Sequence, residues 1–313
     1  MATVTKLKAT VNNKNLPILG SDGKLHNYFV GRYVNKLAQL GYELTSVEET
    51  ALEAFISDGI SKGWIDKVKY LMPFIGSEEI PLTGMVPLID KISDYELAVD
   101  SVAAEIFTYN NGKITNIGSI SDASKPAYIP VTSTMLGAPQ TLGCYFNINY
   151  VENASIKALQ GGICSAYNQD ENVRFAIRKG NGNASEAIFW GVKFDDSSSI
   201  SFANVKGTAF DTVIQKGIFT VRYVDNNNNK RVKRYVINKG ASTALEQDMS
   251  GNTASADFPN EVLTYKVGNS QSSNSVCPIN IIAFINPIEI TSDDMYNFNQ
   301  AVFALTTALG RNV

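Results

Sequence analysis

Apolar positions along the chain follow three successive patterns. Over residues 1–76 the period is helical. Phe29, Tyr33, Leu37 and Leu40 recur at helical spacing on one stripe, which predicts a helix from about Asn27 to Leu40, closed by Gly41. Ser46 and Glu49 have capping-box spacing, and Val47, Ala51, Phe55, Ile56 and Ile60 follow on one face. A second helix from about Val47 to Lys62, ending at Gly63, is expected. Both stripes read as core or docking faces.

From Glu78 to Val276 the period becomes two. Phe219, Val221 and Tyr223 alternate with Thr220, Arg222 and Val224, an asparagine-rich turn Asp225–Asn229 follows, and the chain returns over Lys230 to Asn238. This is a hairpin pattern. A second hairpin pairs Val173 to Arg178 with Ala187 to Phe194 across Gly180-Asn181-Gly182-Asn183. Shorter strands are expected at Ala104 to Tyr109, Gly143 to Tyr150, Ile200 to Phe202 and Leu263 to Val267. Many short strands with turns between them imply a two-sheet sandwich or jelly roll. The last segment mixes both periods. Ile279 to Ile285 reads as a strand buried on both faces, and Thr291 with Asp294 caps a helix whose stripe is Met295, Phe298, Val302, Leu305 and Leu309.

Composition narrows the function classes. The 313 residues are 44% hydrophobic and 18% charged, with a formal net charge of −3, which fits a globular protein and disfavours nucleic acid as its main partner. There is one histidine, His26, so mechanisms that need two imidazoles are excluded. Three cysteines, Cys144, Cys164 and Cys277, are too few for a zinc ribbon or a disulfide framework. The first ten residues have no apolar core of a signal peptide, and no apolar run approaches the length of a membrane span. A protein without membrane insertion is expected.

Candidate chemistry is sparse. No G-x-S-x-G elbow occurs, and His26, in a polar stretch before a helix, reads as a surface or capping residue. Acids that could form a glycosidase pair, such as Glu78, Glu79, Asp195, Asp196 and Glu261, have no spacing that selects them. The Asp225–Asn229 run reads as a turn rather than a calcium loop, and Lys230 to Arg234 as a solvated strand face. No catalytic, cofactor-binding or metal-binding residue is therefore expected. What remains is an Asn-, Ser- and aromatic-rich surface suited to sugar or protein contact. Asn181, Asn183, Trp190, Asn226 and Asn228 are its candidate contact residues, and Phe29, Tyr33, Leu37 and Leu40 the candidate partner-docking stripe.

Three stretches carry a family resemblance. Leu52 to Gly76 places a helix bearing an aromatic before a Lys-rich turn and a Met72-Pro73-Phe74-Ile75-Gly76 step. Gly217 to Gly240 gives a strand-turn-strand, and Ala283 to Val313 a final strand and helix ending Leu309-Gly310-Arg311-Asn312-Val313. Together they resemble the concanavalin A-like (LamG or lectin-like jelly-roll) domain of phage structural and fibre proteins, of the type found in crAss-like phages of Bacteroidales. The step here is Gly76-Ser77 where the family often has Gly-Gly, and residues 93–139 match nothing in it.

The resemblance implies a mainly β jelly-roll sandwich with flanking N-terminal and C-terminal helices. Residues 1–45 would be an attachment segment and residues 46–313 the lectin-like domain. It further implies a virion protein of head or tail, a fibre or decoration component, working in homo-oligomers and with capsid or tail partners. Host-glycan binding by a receptor-binding protein is the alternative, and a glycan-cleaving enzyme the third reading.

Overall fold

The computed structural model describes residues 16–91 and 291–311, apart from the side chains of Ser292 and Met295, together with strand backbones between Phe107 and Ile285. The N-terminal part opens with a small hairpin, β1 (Ile18–Leu19) and β2 (Leu25–His26). Helices α1 (Tyr28–Gln39) and α2 (Ser46–Lys62) and strands β3 (Val68–Met72) and β4 (Ile89–Asp90) follow. The chain then forms β5 (Phe107–Asn110), β6 (Lys113–Asn116), β7 (Ile129–Ser133), β8 (Gly143–Asn149), β9 (Gly161–Tyr167), β10 (Val173–Lys179), β11 (Ile188–Val192) and β12 (Ser201–Asn204). It continues through β13 (Lys216–Asn226), β14 (Asn229–Ile237), β15 (Leu245–Asp248), β16 (Leu263–Val267) and β17 (Ile279–Ile285) to the final helix α3 (Ser292–Ala308).

Strands β7 to β17 divide between two antiparallel sheets. One has six strands in the order β12-β11-β10-β9-β16-β7. The other has nine, in the order β15-β14-β13-β8-β17-β3-β4 with β6 joining β17 and β5 joining β6. Between β7 and β8, β8 and β9, β12 and β13, β15 and β16, and β16 and β17 the chain passes from one sheet to the other. Such sheet-switching is the connectivity expected of a two-sheet β domain. Both expected hairpins are present. Asn226 pairs with Asn229 at the end of one ladder, and Lys179 pairs with Ile188 at the end of the other. The strand expected at Ile279–Ile285 lies inside the larger sheet, bonded to β8 on one edge and to β3 and β6 on the other.

Among the described residues, all three α-helices start at side-chain caps. Asn27 accepts from the Val30 amide, and Thr45 and Thr291 each form a full capping box, with Glu48 and Asp294. The second box sits one residue earlier than Ser46/Glu49, although both pairs satisfy the sequence rule. Tertiary partners select between them, because the Tyr42 hydroxyl donates to Glu48 at 3.0 Å while Glu49 is taken by Lys24. The α2 stripe is also rotated from the expected one. Ala51, Leu52, Phe55, Ile56 and Gly59 are buried, whereas Val47 and Ile60 are exposed.

One core unites both ends of this part of the chain. Phe29, Tyr33 and Leu37 of α1, Phe55 and Ile56 of α2, Val68 and Leu71 of β3, and Phe298 and Val302 of α3 belong to the same buried cluster. Trp64, wholly buried, stands between helices, with ring centroids 5.0 Å from Phe55 and 5.2 Å from Phe298. Each such aromatic contributes about 1.5–3 kcal/mol by burial alone. Gly59 is what admits it, since a Cβ there would come within 2.8 Å of the indole. The expected boundary at residue 45 runs through this core. The expected onset of strands after residue 78 is corrected, because β3 joins the larger sheet beside β17. In addition, α3 lies against β13 and β14 of that sheet.

Candidate functional site

The residues singled out from sequence fall in different places. Phe29, Tyr33 and Leu37 are buried and Leu40 packs against the same core, so the stripe is not a free docking face; it shares that core with residues of α2, β3 and α3. Trp190 lies in β11 of the six-stranded sheet, whereas Asn226 closes the β13–β14 hairpin of the nine-stranded sheet. The two are therefore not neighbours in one sheet. Asn181, Asn183 and Asn228 lie outside the described residues.

A clasp joins the two end stretches that carry the family resemblance. Arg311, 9% exposed just past α3, donates from Nη1 to the Pro73 carbonyl and from Nη2 to the Phe74 carbonyl at 2.7 Å. Phe74 holds φ +49°, a left-handed conformation that costs a non-glycine residue about 1–2 kcal/mol. A planar, permanently charged fork on two adjacent carbonyls stabilises that turn of backbone. Two residues on, Gly76 passes so close to the 83–84 backbone that a Cβ would meet the Gly84 nitrogen at 2.4 Å. Thr83, buried there, accepts from the Ser77 amide at 2.9 Å and donates to the Ile80 carbonyl.

A second tie lies at the other end of α3. Lys67 donates to Asp294, the same carboxylate that accepts the Thr291 amide at 2.8 Å and hydroxyl at 2.7 Å. Burial alone would raise the Asp294 pKa, but the contacts with Lys67 and Thr291 outweigh it and hold the carboxyl below its ordinary 3.8.

The lone histidine is the centre of a third arrangement, and its expected surface or capping role is corrected by its burial at 2% exposure. Its Nδ1 lies 3.0 Å from Glu53 Oε1 on α2, and its Nε2 lies 3.0 and 3.1 Å from the two Asp22 oxygens in the β1–β2 turn. Carboxylates that are ionised only accept, so this arrangement favours an imidazolium with both ring nitrogens donating. Burial would lower its pKa, but the hydrogen bonds and charges of Asp22 and Glu53 prevail and raise it above 6.5. Asp22 moves the other way, below 3.8, because its bonds from His26 and the Lys24 amide outweigh desolvation.

A ring so held is neither a general base nor an activator of a nucleophile, since each nitrogen is already donating. Ligand atoms of Asp22, His26 and Glu49 also come within 4.8 Å of one another. The cluster nevertheless supplies its own cations, His26 between Asp22 and Glu53 and Lys24 on Glu49 and Asp22. With the ring charged, these two cations face three carboxylates, Asp22, Glu49 and Glu53. Sequence reasoning missed this assembly because the Asp22-x-x-x-His26 spacing shows only part of it; Glu53 comes from a separate helix.

Between α2 and α3 runs a groove of about 500 Å³, floored by Ala51, Phe55, Ala301 and Leu305 and edged by Asp58, Lys62 and Gln300. Asp58 is engaged there by the Trp64 indole N–H at 3.1 Å and by Lys62 at 2.7 Å.

No protein-family model and no curated protein sequence matches the chain. Among solved structures, an alginate lyase from Klebsiella pneumoniae overlaps 57% of this chain and 81% of its own at 9% identity and a TM-score of 0.33. An endo-1,3-β-glucanase from Streptomyces sioyaensis overlaps 58% of this chain and 78% of its own at 10% identity and a TM-score of 0.35. A tetrameric galectin from the sponge Cinachyrella sp. overlaps 50% of this chain and 97% of its own at 10% identity and a TM-score of 0.29. Overlaps this loose decide nothing about activity. Among the described residues, no helix is long and apolar enough to cross a membrane.

Proposed function

We propose that this chain is a structural component of a phage particle, a head or tail fibre or decoration protein, that carries a lectin-like jelly roll on a helical base. It acts by contacts with copies of itself and with capsid or tail proteins, and has no catalytic task. One observation carries the reading. The two end stretches that resemble phage jelly-roll proteins, Leu52–Gly76 and the segment ending at Arg311, are held together by Arg311 on the Pro73 and Phe74 carbonyls. The separate pieces of sequence on which this reading rests are thus packed against one another. A second support is chemical, since the one imidazole of the chain is a buried cation that ties elements together.

Quantitative mass spectrometry of purified particles of the encoding phage is the test. The expected result is this protein at a fixed integer copy number relative to the major capsid or tail protein. Its absence from washed particles overturns the reading.

Glycan recognition is a second reading, favoured by the hairpin whose Asn226 and Asn229 pair at the closing turn and place amide-rich chain at the end of a long ladder. Amides match sugar hydroxyls in donor and acceptor capacity. Binding of the full chain to host surface polysaccharide, lost on replacing Asn226 and Asn228 with Ala, would favour this role. Stable multimers without any glycan binding would favour the purely structural one.

A further inference from the structure

We infer that Asp22, His26 and Glu53 form an alkaline-released latch that clamps the Ile18–His26 hairpin onto helices α1 and α2, and that loss of one ring proton frees the hairpin. The attachment of this hairpin is mostly polar. Leu19 and Leu25, paired across its strands, are 62% and 71% exposed and hold nothing in place. Its other anchors are Ile18 seated against Gly31, the Asn35 side chain donating to the Leu19 carbonyl at 3.3 Å, and Lys24 on Glu49.

The ring connects three elements at once. Asp22 belongs to the hairpin turn and Glu53 to α2, and Glu53 also accepts from the Asn27 amide and side chain at the start of α1. The charged groups around the ring are Asp22 and Lys24 from the hairpin and Glu49 and Glu53 from α2. From α1, Arg32 lies over the Tyr28 ring instead.

A neutral imidazole has one N–H. When the ring loses a proton, one nitrogen presents a lone pair to a carboxylate 3.0 Å away, and the ring itself is only 2% exposed. The sign follows from the raised ring pKa. The stabilising contribution is complete below the free value near 6.5 and is lost as pH rises through the higher folded value. Lys24, itself raised above 10.5, keeps its charge through that range, so the ring is the group of this cluster that changes.

A single histidine makes the experiment direct. The full chain, labelled with 15N in histidine, is titrated by NMR, while amide exchange at Gly20 and Gly23, whose N–H groups close the hairpin turn, is followed and corrected for intrinsic rates. More than half of the rings are expected to carry both protons at pH 6.5. Protection at the two glycines should then fall, in step with deprotonation, by about tenfold per unit by which the ring exceeds its free pKa. Glu53→Gln should lower the titration midpoint more than Glu49→Gln, which leaves both ring contacts in place. A ring that titrates at or below 6.5, or glycine protection that is flat through the titration, overturns the latch.

Discussion

The two ends of the described chain are fastened to one core by cations of different kinds. At the C-terminal end the cation is Arg311, whose guanidinium grips two neutral carbonyls and stays charged at any pH the protein survives. At the N-terminal end it is His26, whose charge depends on two carboxylates and is lost on the alkaline side. The α3 end is therefore fixed permanently, while the N-terminal hairpin is fixed conditionally. The difference lies in what the cation faces. Carbonyls satisfy a permanent donor, whereas paired carboxylates require a proton that can leave.

Substitutions at these ties can break the contrast. The largest effect is expected for Arg311→Ala, which strands two buried carbonyls and releases the left-handed Phe74 turn. A loss of about 3 kcal/mol is anticipated, read as a fall in the urea midpoint of the helical circular dichroism signal. Arg311→Lys should recover only part of it, because an ammonium lacks the planar fork. Neither loss should vary between pH 6 and 9, and a strong pH dependence would erase the distinction between the two ends.

Asp294→Asn comes next, at about 2 kcal/mol near neutral pH, since it weakens both the Lys67 contact and the bonds that the Thr291 amide and hydroxyl donate to this carboxylate at the start of α3. The folded carboxyl sits below 3.8, so its contribution is present above that value and disappears as pH falls through the lowered one. Wild type and variant should converge in acid. The smallest effect belongs to Thr45→Ala, about 1 kcal/mol, against almost none for Ser46→Ala. The reverse order would mean that the cap is the Ser46/Glu49 box after all.

Much of the local structure was legible because its signals are local. The α1 stripe, the Thr291/Asp294 box, the β13–β14 turn and the limits of β16 all follow from spacing within a few residues. The errors arise where two local solutions are equally good. Thr45/Glu48 and Ser46/Glu49 have the same spacing, and the contacts of Tyr42 and Lys24 decide between them. Strand β3 was missed because Leu71-Met72-Pro73-Phe74 is a continuous apolar run without alternation, as befits a segment buried throughout. His26 was misread because polar neighbours in sequence say nothing about a helix residue twenty-seven positions away that closes over the ring.

Sequence by itself determined the periods, the caps and the turns, and through its single histidine and low charge it removed whole classes of chemistry. These depend on contacts within one or two turns of chain, where propensity and hydrogen-bond geometry act without tertiary help. Only the tertiary structure decided that the α1 stripe is core rather than docking face, that β3 completes the larger sheet beside β17, and that Arg311 reaches back to Pro73. Each of these is a choice of partner far apart along the chain. Burial and charge compensation select it, and neither is encoded in spacing along the chain.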